Sequence, residues 1–164
     1  MRKQTKNLSL STVKKQNASA FKELKRVHLT SGGFVDLDVV FRPTKITATA
    51  QELLAVFKES FESHKKIDAT IGVLLSTALL IKNFTSLETD ASGYDGLLAL
   101  FNELQDGKYV EEIVAGFEKA EIEKLFEELK QATDNLVLEI DRLVAAESKN
   151  GRSDRSELVE AVQS

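Results

Sequence analysis

The sequence predicts a mainly α protein: a helical bundle of about five helices with an N-terminal β-hairpin. Three observations carry this. Apolar residues recur at spacings of three and four through five stretches between Ala50 and Glu147, the period of a helix with one buried face. One earlier stretch, Arg26 to Arg42, instead alternates apolar and polar residues about Ser31-Gly32-Gly33, the pattern of two short strands joined by a tight turn. Proline occurs once, at position 43, so little interrupts the helical stretches.

The N-terminus is expected to be a basic flexible arm, residues 1–25. Met1 to Asn17 is rich in Lys, Gln, Asn, Ser and Thr, and is expected to be disordered or loosely helical when free, while Ala18 to Lys25 offers one short helical turn. In the hairpin, Val27 and Leu29 alternate with polar neighbours. Val35, Leu37, Val39 and Phe41 share one face of the second strand, with Asp36 and Asp38 on the other. Two strands alone are marginal in water. Their apolar face must therefore pack on helices, or their edges must pair with another chain. Pro43 lacks the N–H that a ladder needs and is expected to end the second strand.

Thr47 or Thr49 is then expected to cap a helix over Ala50–His64, striped by Leu53, Leu54, Phe57 and Phe61. Asp68 starts a second helix, reaching Phe84, that is apolar nearly all round. Such a helix is buried on every face, inside the domain or across a subunit interface. Glu88–Gly96 reads as a loop, followed by a helix over Leu97–Gln105 that Asp106-Gly107 stops. A short helix over Lys108–Phe117 precedes the longest pattern, Glu118–Glu147, which is able to cap the bundle or pair with a copy of itself. Ser148 to Arg155 is polar and contains Gly151. The hairpin and helices therefore form one domain, residues 26–148, and residues 149–164 form a polar tail, with a helical turn possible over Glu157–Val162.

Composition narrows the function. The chain has 164 residues, 42% of them apolar, enough for one domain with a real core. It contains no cysteine and two histidines, which excludes disulfides, thiol nucleophiles, cysteine-ligated metals and a multi-histidine site. No metal or other cofactor is expected. No apolar segment marks a secretory signal or spans a membrane, so an intracellular location is expected. Met1 to Arg26 holds eight basic residues and one acidic one, and the remainder fourteen basic and twenty-five acidic. This basic arm has two readings: contact with nucleic acid or another anionic surface, or a solvated arm lying on its own acidic domain or a neighbour's.

Catalytic signatures are missing. There is no glycine-rich phosphate loop, His-Glu-X-X-His, nucleophile elbow or calcium loop. Glu111-Glu112 and Glu127-Glu128 are helix neighbours that point about 100° apart and do not converge. An enzyme is not expected. What remains is apolar surface, including nine phenylalanines. Part of it can stay open for a partner chain, with Leu54, Phe57 and Phe61 as the first candidate face and Leu98 and Phe101 as the second.

The order of elements also carries a resemblance. A hairpin leads through Phe41-Arg42-Pro43-Thr44-Lys45-Ile46 into a helix. An apolar helix then ends in Leu80-Ile81-Lys82-Asn83-Phe84-Thr85-Ser86-Leu87, before a loop and further amphipathic helices. Over Val27–Glu147 this resembles the tail assembly chaperones of long-tailed phages and prophages of Gram-positive bacteria. Separately, the all-round apolar Ile71–Phe84 helix and the hairpin edge point to a homo-oligomer. The resemblance implies a non-enzymatic protein that binds the tape measure protein. It would keep that protein soluble and help tail tube protein polymerise around it. It would act in the cytoplasm of the host bacterium and be absent from the mature virion. It also implies a longer product made by programmed frameshift, and Ser148-Lys149-Asn150 is compatible with a slippery codon run. Two other classes compete: a nucleic-acid-associated or regulatory module using the basic arm, and a structural virion protein such as a head–tail connector.

Overall fold

The computed structural model describes residues 5–163, with side chains described as far as Lys149. Among the described residues it has six helices and one antiparallel hairpin, in the order α1 (Leu10–Ala20), β1 (Leu24–His28), β2 (Phe34–Asp38), α2 (Pro43–Glu62), α3 (Ala69–Phe84), α4 (Gly93–Asp106), α5 (Tyr109–Gly116) and α6 (Lys119–Gln163). The mainly α class with an N-terminal hairpin is what the sequence predicts, with α1 as an added helix.

That helix forms within the arm expected to be disordered or loosely helical. Ser9 caps it, its hydroxyl accepting from the Thr12 amide, and Val13 sits one turn inside. No residue of α1 is buried. Met1 to Gln4, the start of the basic arm, lie outside the described residues.

The hairpin pairs Leu24 with Asp38 through to His28 with Phe34. It turns through Gly32 at φ 104°, a left-handed value that glycine adopts without strain. Val35 and Leu37 face inward and are buried. The other edge of β2 meets the segment after α3, where the Ser86 amide donates to the Asp36 carbonyl at 2.9 Å. The acidic side chains of β2 are each paired, Asp36 with Arg26 at 2.8 Å and Asp38 with Lys45 at 2.6 Å.

Several boundaries move. Strand β2 stops at Asp38, and α2 starts at Pro43 rather than Ala50. Proline at the first helical position gives up an N–H that has no partner there anyway. Thr47 and Thr49 therefore lie inside the helix, and their hydroxyls donate to the Pro43 and Lys45 carbonyls. Helix α4 starts at Gly93, whose φ of 73° turns the chain into it, and the Tyr94 hydroxyl donates to the Lys66 carbonyl. Helix α6 does not end near Glu147: its backbone stays helical through Gly151 to Gln163. One internal glycine costs a helix only about 1 kcal/mol against alanine. The expected polar tail is thus continuous with α6 in its backbone, and Ser164 lies outside the described residues.

The core gathers where the hairpin, α2, α3 and α5 meet. Phe41 stacks on Phe84 with ring centroids 4.1 Å apart and meets Phe117 edge-on at 5.6 Å. From Leu75 onward the apolar residues of α3 are buried, as expected, but its first two turns are not: Val73 is 58% exposed. No helix among the described residues is long and apolar enough to cross a membrane.

Candidate partner-binding groove

The exposed start of α3 forms one wall of an open groove. The frame around it is set by polar ties at one end. Lys82 bridges α3 to Glu52 of α2 at 2.6 Å, and the Asn83 side-chain amide donates to Thr49 Oγ1 and Glu52 Oε2. These contacts run α3 antiparallel to α2. Glu121 in the first turn of α6 accepts the Phe41 backbone amide at 3.0 Å and pairs with Lys124 at 2.8 Å. That contact starts α6 beside the start of α2, and the two helices run in the same direction.

Glu121 is a buried acid. Burial alone would push its carboxyl up; the Lys124 ammonium and the Phe41 amide outweigh this and hold it below the ordinary glutamate value of 4.5. The carboxylate stays charged and satisfies an amide that would otherwise be buried without a partner.

Helix α2 touches both α3 and α6, while α3 and α6 stand apart. Between them lies a groove of about 560 Å³. Leu53 and Phe57 of α2 form its floor, Gly72 and Val73 of α3 one wall, and Phe126, Leu129 and Val137 of α6 the other. Asp68, Lys130 and Asp134 also line it. The three helices are three sides of a four-helix arrangement whose fourth side is open. An α-helix with an apolar stripe matches such a gap in shape and chemistry.

Of the predicted face, Phe57 lies in the floor. Phe61, one turn further along α2, is 60% exposed. Leu54 is half-buried and does not line the groove. Leu98 and Phe101 lie on α4, outside the groove and partly buried against the core. Sequence reasoning missed Gly72, Val73, Phe126 and Val137. For Phe126 and Val137 a signal lay in helix lengths: an apolar stripe on α6 longer than the helix it packs on. Among the described residues no three His, Asp or Glu side chains gather to hold a metal ion.

Fold and groove together define a small helical-bundle protein with an N-terminal hairpin and one open apolar face. By sequence the chain belongs to the YomO family, whose family model matches residues 10–160. YomO is a family of phage-like Bacillus proteins, and membership points to a phage origin. No curated protein and no solved structure matches the chain.

Proposed function

We propose that this protein is a phage tail assembly chaperone. It binds the tape measure protein, keeps it soluble and assists tail tube polymerisation around it. The observation that carries this reading is the open α2–α3–α6 groove, an apolar slot with room for one amphipathic helix. A long helical client aggregates unless its apolar stripe is covered, and a groove with Phe57 in its floor covers one segment of that stripe. The family's phage-like character and the resemblance over Val27–Glu147 support the same reading. The protein then acts in the host cytoplasm and leaves before the virion is complete, and a frameshifted longer form shares its N-terminal part.

Co-expression with a tape measure protein of the same phage tests this. The expected result is a soluble tape measure protein that co-purifies with this chain. A tape measure protein that stays insoluble, or that is soluble without association, overturns the proposal. Mass spectrometry of purified particles adds a second readout, because a structural virion protein would be present in them.

A further inference from the structure

The chain that leaves its groove open also carries a helical stripe with nothing to cover it. Helix α6 is 45 residues long and α2 is 20. The two start together, so α6 outruns α2 by roughly 35 Å at 1.5 Å per residue. The arc of α6 that packs against α2 through Leu125 and Leu129, and is still buried at Leu136, continues past the body as Ile140, Leu143 and Val144. Spacings of three and four keep these residues on one side of the helix. Upstream the arc is buried; at Leu143 and Val144 exposure reaches 60% and 55%. The overhang cannot fold back into its own groove, because it belongs to the same straight helix as one groove wall.

We infer that two copies of this chain pair about a twofold axis near Leu138, each laying the α6 overhang into the other's α2–α3–α6 groove. A twofold makes both contacts identical and leaves neither groove nor stripe open. Antiparallel α6 helices crossing there place Ile140 of one copy at the level of Leu136 of the other, and Leu143 over Thr133, beside Val73. Charge selects the direction. Glu147 lies on the apolar arc itself, and the antiparallel register sets it at Leu129–Lys130 of the other copy, within reach of the Lys130 ammonium. A parallel pairing sets Glu147 against Glu147. The dimer therefore stores the groove in a covered state, and an amphipathic client enters by displacing the overhang. The pairing does not depend on the client's identity, and its test reads the chain alone.

Sedimentation of the full chain is expected to give twice the monomer mass. The variant Leu143→Glu/Val144→Glu, altered only at exposed positions, is expected to sediment as a monomer with unchanged helical content. Because the chain has no cysteine, single cysteines report the geometry. A mixture of Val73→Cys and Val144→Cys copies should form a disulfide-linked dimer on oxidation, and neither variant alone should do so. A wild-type chain that sediments as a monomer overturns the inference. So does a dimer that survives Leu143→Glu/Val144→Glu, or one in which Val144→Cys links to itself, as a parallel pairing requires.

Discussion

The Glu121 carboxylate accepts the backbone amide of Phe41 across 80 residues of sequence, at 3.0 Å. One bond thus fixes the start of α6 to the corner where the hairpin enters α2. Glu121→Ala leaves the Phe41 amide buried without a partner and should cost about 1–3 kcal/mol. Glu121→Gln keeps an oxygen acceptor in place and should recover most of that loss. Chemical denaturation of the two variants beside wild type measures the difference.

Acid should loosen the same contacts. Glu121 sits below its ordinary value in the folded chain, so its stabilising effect is complete above the unfolded value near 4.5 and disappears as pH falls through the folded one. Three acids less buried than Glu121 share the sign. The Thr30 hydroxyl and amide lower Glu112, the Ile71 amide and Lys66 lower Asp68, and the Arg26 guanidinium lowers Asp36. The melting temperature should be flat near neutrality and fall below the ordinary carboxylate range. In Glu121→Gln that fall should be shallower.

The last residue of α5 sits hard against the hairpin. A Cβ on Gly116 would stand 2.6 Å from Val27 Cγ2 and 2.7 Å from Leu37 Cδ1. Leu37 is fully buried, and a β-branched valine has little freedom to turn away. Gly116→Ala should therefore destabilise by about 1–3 kcal/mol, although alanine is the better helix former. Thermal melts of the variant check this.

Gly72 is the opposite case. A Cβ there meets nothing within 4 Å, and the residue lies inside α3. Gly72→Ala should stabilise by about 0.5–1 kcal/mol. Gly72→Leu places a larger side chain in the groove and should weaken client binding at least tenfold while the melting temperature holds. Pull-down and melting of the two variants together separate filling the groove from unfolding.

The predicted partner residues should divide by their positions. Phe61→Ser, at an exposed site, should change stability by less than about 0.5 kcal/mol, and Phe57→Ala should lower client binding. Leu98→Ala and Phe101→Ala should lower stability and leave the groove's affinity unchanged. Equal binding losses at Phe57 and Phe101 would mean that the client follows α4 instead.

Much of the fold was legible because its cause is local. The helical period of Leu53–Phe57 and of Ile122–Leu136, and the alternation of Val35 and Leu37, mark faces that the folded chain buries wholly or in part. Pro43 was misread because the same missing N–H suits the end of a strand and the start of a helix. The start at position 43 is settled by the Phe41 contacts with Phe84 and Phe117, which local sequence does not encode. The groove was less legible still. Val73 looks like one more core residue of an apolar helix, and only the distance between α3 and α6 leaves it facing outward. Phe57 was found because it lies on a stripe; Val137 was not, because its exposure depends on where a different helix stops.

The long separation between Phe41 and Glu121 also orders events during synthesis. The hairpin, α2 and α3 leave the ribosome well before α6, and their contacts with one another close short loops. The side of α2 that Leu125 and Leu129 cover must wait until α6 itself has left the ribosome. For that interval the nascent protein exposes a stripe much like the one proposed for its client, and its own last helix is the first ligand to occupy it.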